Sequence, residues 1–142
     1  MNKNFVLIFL IFFALIYWMS LTFVRALAED LHLGLIEYEI ACLPCHGINA
    51  QGDGLMAKKL EVPPSDLTRI SLLNGGVFPL DRVYEIIDGR KQVAAHGQRK
   101  MPVWGDRYRI RLSPDEDATI IERRARGRIE ALIEYLISIQ NN

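Results

Sequence analysis

Two cysteines three positions apart, with a histidine directly after the second, constrain this 142-residue chain more than any other feature. The string is Cys42-Leu43-Pro44-Cys45-His46, and the chain has no further cysteine. One pair so close together has no disulfide framework to build. A thioredoxin-like redox pair needs a βαβ surrounding, and the flanks here carry helical spacing instead. A zinc site needs four ligands at paired spacing, and there is no second Cys pair to supply them. The third reading is C-x-x-C-H, the attachment signature of a c-type haem. Two thiols on one turn can add to the two vinyl groups along one porphyrin edge. The imidazole of His46 then stands ready as proximal iron ligand.

The N-terminal segment tells which side of a membrane the motif meets. Phe5 to Val24 is a run of 20 residues without a charge, preceded by Lys3 and followed by Ala26-Leu27-Ala28 ahead of Glu29-Asp30. A basic start, an apolar run and a small-residue A-x-A site describe a secretory signal peptide. The run also equals the span of a bilayer, so an uncleaved anchor over residues 5–24 has the same topology. Both readings export the residues after position 28, and both divide the chain into a leader, 1–28, and one domain, 29–142. The formal net charge of zero averages these two parts. Residues 29–142 carry 15 bases against 17 acids, and without a basic excess a nucleic-acid partner is not expected.

Hydrophobic spacing in the exported part is helical. Leu31, Leu35, Tyr38 and Cys42 fall on one face of a helix running into the motif. Gly34 on that helix costs about 1 kcal/mol against Ala, which points to a close backbone contact there. A shorter helix is predicted over Leu80 to Asp88, with Gly89 as its C-cap. Ser113-Pro114-Asp115-Glu116 reads as a capping box with Pro at the first helical position. From there Ile121, Ala125, Ile129, Leu132, Leu136 and Ile139 form one apolar stripe. No run shows sustained alternation, so the predicted fold is all-α. A bound porphyrin would complete the core of a domain with only six aromatic residues after position 28.

With these residues in hand, the chain resembles the class I, monohaem c-type cytochromes of the small bacterial periplasmic type. The resemblance covers about residues 34–139. Gly34-x3-Tyr38-x3-Cys42-x2-Cys45-His46-Gly47 is similar to the family's first helix running into the haem motif. Ala50-x-Gly52-Asp53-Gly54 and Pro63-Pro64-Ser65-Asp66-Leu67-Thr68 resemble the loops that follow. Met101-Pro102-Val103-Trp104-Gly105 resembles the distal methionine segment, and Ile133-Glu134-Tyr135-Leu136 the closing helix. The resemblance implies a cytochrome c-like fold of three to five helices around one covalent haem c. It also implies a contact between Gly34 and Tyr135. A proline carbonyl, from Pro63 or Pro64, would accept the His46 Nδ1 proton and so orient the ring.

A low-spin electron-transfer haem needs a sixth ligand. Met101, 55 residues beyond His46 and directly before Pro102, is the candidate that matches the family. His96 in Ala95-His96-Gly97 competes with it, while Met56 lies only ten residues past His46 and His32 lies near the start of the helix ahead of the motif. Trp104 packs on the haem edge, or donates its indole N–H to a propionate, or is an ordinary core tryptophan. Seven arginines between Arg107 and Arg128 form either a docking rim or a solvated face. Lys91, Arg99 and Lys100 flank the distal segment and are better placed to ring a haem edge.

The expected function is one-electron transfer in the periplasm between redox partner proteins, with no catalytic acid–base pair and no enzyme activity. Two other readings stand beside it. One is a membrane-tethered cytochrome subunit of a larger oxidoreductase. The other is a haem-based gas sensor or enzyme with an open sixth position. Oligomeric state is not legible from the sequence.

Overall fold

The computed structural model describes residues 3–89 and 101–141. All regular structure among them is helical, with no strand. The chain divides into a unit up to Asp30 and a larger one from Leu31 onward. Helix α1 spans Lys3–Ala41, α2 Leu43–His46, α3 Ile70–Leu73, α4 Leu80–Asp88, α5 Trp104–Tyr108 and α6 Ala118–Ser138. Single 3-10 turns cover Ala57–Lys59 and Leu67–Arg69.

The first unit is the apolar half of α1. Its large side chains from Leu7 to Val24 are exposed, Leu10 at 62% and Trp18 at 69%. The stretch Leu7–Ala41 is long and apolar enough to cross a membrane by length and composition. The separate helix predicted to start at Leu31 is instead the continuation of this one, which runs without a break through Ala26-Leu27-Ala28.

In the second unit α4, α5 and α6 pack on one another, and the last turns of α1 cross α6. The crossing point is Gly34. A Cβ there would collide with the Ala131 carbonyl oxygen and sit 2.8 Å from the Tyr135 Cβ. The helices can approach this closely only because position 34 has no side chain. One turn later the rings of Tyr38 and Tyr135 meet at 5.2 Å, tilted by 45°. The expected pairing of Gly34 with Tyr135 is therefore present as a backbone approach roofed by an aromatic pair. The α6 stripe behaves as its period requires. Ile121, Ala125, Ile129, Leu132 and Leu136 are buried, and Ile139 packs at the edge of the same core.

Helix α4 ends as predicted, at Gly89 in the left-handed conformation with its N–H on the Glu85 carbonyl. The start of α6 departs from expectation. Ser113 does not cap it, because the Glu116 carboxylate accepts from the Leu112 N–H at 2.8 Å and pairs with Arg124. That leaves Ser113–Glu116 as a turn, and Asp117, in extended conformation, accepts from the Thr119 N–H at 2.7 Å as the N-cap.

Two stability measurements follow. Gly34→Ala should lower the unfolding free energy by about 1–3 kcal/mol in a denaturant titration, as overpacked interfaces do, and Gly34→Val by more. Asp117→Ala should lower Tm while Ser113→Ala leaves it unchanged, the reverse of what a cap at Ser113 requires.

Candidate functional site

Cys42 ends α1 and begins the next turn. Its carbonyl accepts from the N–H of Cys45 at 3.0 Å and of His46 at 2.8 Å, so all three motif residues lie on one tight turn. Pro44 is tolerated there because the first turn of a helix leaves its N–H unused. Gly47, at φ 82°, reverses the chain, and the loop folds back over the turn it has just left. Gly52 N–H donates to the His46 carbonyl at 2.8 Å, Gly54 to Cys45 at 3.1 Å and Met56 to Pro44 at 2.8 Å. Those carbonyls would otherwise be orphaned at a helix end. The Tyr38 hydroxyl donates to the Gly47 carbonyl at 2.5 Å and ties the loop to α1.

His46 Nδ1 lies 2.9 Å from the Ser65 carbonyl oxygen. A carbonyl can only accept, so Nδ1 carries the proton and Nε2 keeps its lone pair. Burial holds the half-buried imidazole below its ordinary pKa, an effect that the Ser65 bond partly opposes. The neutral, Nε2-basic form is the one that binds iron. The acceptor is thus Ser65 and not Pro63 or Pro64. Pro64 turns its carbonyl towards Gly52, where a Cβ would strike it, and the following peptide is the one presented to the ring.

The two thiols differ. Cys42 is 6% exposed within the main core, and burial first and the Glu37 charge second push its thiol up to about 12. Cys45 is half-buried. Met101 and Trp104 both pack, partly buried, against the core that contains Cys42 and Ala50. Met101 lies in the non-helical stretch ahead of α5, and Trp104 is the first residue of α5. The Arg107 guanidinium lies 4.8 Å from the centre of the Trp104 ring, covering one face of it. His96, Lys91, Arg99 and Lys100 lie outside the described residues.

The donor set suits a covalent haem: two thiols on one turn, an imidazole with a free Nε2, and a thioether packed on the same core. Among the described residues no three His, Cys, Asp or Glu side chains gather as a metal cluster. The arginines resolve into separate roles. Arg109 bridges Asp88 at 2.5 Å and Glu122 at 2.7 Å, and Arg124 pairs with Glu116. Arg128 grips Glu37. Sequence reasoning missed Ser65, because which carbonyl meets a ring depends on loop geometry. It also missed Glu37, since nothing in sequence links it to a partner 91 positions away. No protein-family model matches the chain, and no curated protein or solved structure matches it either.

The tautomer gives a direct check. In the protein without cofactor, nitrogen NMR of His46 should show a protonated Nδ1 and a bare Nε2. An Nε2–H form would remove the imidazole from the role assigned to it.

Proposed function

We propose that the chain is a monohaem c-type cytochrome of class I, a one-electron carrier and not an enzyme, exported to the periplasm of a bacterium. The observation that carries this reading is the C-x-x-C-H turn whose histidine is oriented by a backbone carbonyl, leaving Nε2 free. Bound haem c supplies a one-electron iron(II)/iron(III) couple. The chain's own residues do the rest. The Cys42 and Cys45 thiols, held on one turn, would carry the group covalently. His46 would offer Nε2 to the iron, and its Nδ1–H bond to Ser65 holds the ring at one angle and raises its basicity. Met101 would offer its thioether to the iron, which would suit the site to electron transfer. Trp104 and its neighbours exclude water from that side.

A tethered form of the same carrier, acting as the cytochrome subunit of a larger oxidoreductase, is favoured by one observation. Helix α1 carries the stretch Leu7–Ala41, long and apolar enough to cross a membrane by length and composition. Sequencing the mature N-terminus separates the two forms, since a chain that begins after Ala28 is not anchored.

The decisive experiment is the absorption spectrum of purified protein, reduced and oxidised. A split, sharp visible band on reduction, with haem that stays on the denatured chain, is expected. Cys42→Ser with Cys45→Ser should release the haem, and Met101→Ala should abolish the thioether-to-iron band at the red end of the oxidised spectrum. Protein that matures in a haem-competent host without any haem absorbance overturns the reading. Retention of the red band in Met101→Ala overturns the ligand assignment alone.

A further inference from the structure

Helix α6 carries a glycine for which the chain itself gives no reason. Gly127 lies in the middle of Ala118–Ser138, and a Cβ built there would meet nothing within 4 Å. A mid-helix glycine weakens a helix relative to alanine, and no contact within this chain offsets that loss. Gly34 shows what such a residue does elsewhere in the fold, where it lets a second helix come close.

At 3.6 residues per turn, Ile120, Gly127 and Glu134 fall close to one line along the solvent side of α6. Ile120 is 52% exposed, and Arg123, Glu130 and Glu134 are exposed as well. Arg123 and Glu130 lie on the same flank of that line, about 40° and about 60° round the helix from Gly127. The opposite flank is taken by Ala131, which meets α1, and by Arg124, which pairs with Glu116. Among the described residues Arg123, Glu130 and Glu134 form no hydrogen bond or ion pair. Glu130 and Glu134 are moreover like charges one turn apart, a spacing that weakens an isolated helix.

We propose that this face binds a second copy of the chain, α6 against α6, antiparallel about a twofold axis at Gly127. The glycine supplies the close approach, and the charges select the partner. Arg123 stands about 6 Å before the axis along the helix and Glu130 about 4.5 Å after it, on the same flank. Reversing the second helix therefore sets Arg123 beside the partner's Glu130, offset by about 1.5 Å, with the partner's Glu134 just beyond. A parallel pair would instead set arginine against arginine and glutamate against glutamate. The antiparallel contact is made twice, as a closed twofold interface requires, and Ile120 falls inside the covered strip. Nothing in this inference depends on the haem reading.

The test is sedimentation equilibrium of the full chain in detergent micelles across the micromolar range, with circular dichroism to confirm folding. The wild-type chain should dimerise, and Gly127→Leu should weaken association roughly tenfold or more. Gly127→Ala should raise the thermal midpoint of the dilute monomer while weakening the dimer, a pairing of effects that a glycine without an interface does not give. Arg123→Glu and Glu130→Arg each set like charges together and should each associate roughly tenfold more weakly than wild type. An equimolar mixture of those two variants restores both cross pairs and should form a heterodimer of near wild-type affinity. A wild-type chain that stays monomeric overturns the proposal. So does a dimer of unchanged affinity in Gly127→Leu, which would be held by some other surface, and so does a mixture no tighter than its separate variants. Should Gly127→Leu fail to fold, the mixed pair decides alone.

Discussion

The close approach of the first and last helices at Gly34 and Ala131 is the contact on which the larger unit is built. Because a backbone carbonyl fills the space a side chain would take, the two helices are locked in both distance and register. The α1 residues that bear on the site lie within two and a half turns beyond that point. Tyr38 stacks against Tyr135 and reaches the Gly47 carbonyl, Glu37 meets Arg128, and Cys42 ends the helix inside the core. If the crossing point slid by one residue, α1 would rotate by about 100° relative to α6, taking the tyrosine, the carboxylate and the first cysteine off their partners.

From that crossing the support passes outward through the backbone. The motif turn spends its carbonyls on the loop that follows, and that loop returns through the Leu67 N–H to the Ala50 carbonyl at 2.8 Å. The Asp66 carboxylate caps the next turn by accepting from the Thr68 N–H at 2.9 Å. Ser65 directly precedes these two anchored points, so its carbonyl faces His46 without any side chain to aim it. Amide-to-carbonyl bonds are worth about 1 kcal/mol each. Their value here is directional, since they leave the imidazole one orientation.

Much of this was legible in the sequence because it is written in period and in single residues. The α6 stripe, the Gly89 cap and the demand for a glycine at position 34 each follow from one local rule, and each appears where the rule puts it. The start of α6 was misread for a definite reason. Ser113 and Glu116 match a capping box in type and spacing, but Arg124, nearly two turns inside α6, takes the glutamate away. Tertiary charge thereby decided between two local possibilities. The proline expected to support His46 was missed by one residue, because both neighbouring carbonyls are chemically equal and only the loop path distinguishes them. The Glu37–Arg128 pair left no local trace, as pairings across 91 positions do not.

The far end of α6 carries one more connection. Gln140 donates to the Leu67 carbonyl and accepts from the Ser71 N–H, and Asn141 donates to both the carbonyl and the hydroxyl of Thr68. These bonds close loops of 69 to 73 residues. During synthesis or export, the turn that follows Ser65 has only water for these partners until residues 140 and 141 have emerged. The order of emergence thus sets an order of assembly. The two thiols come out early, and the clamp that steadies the histidine's support comes out last.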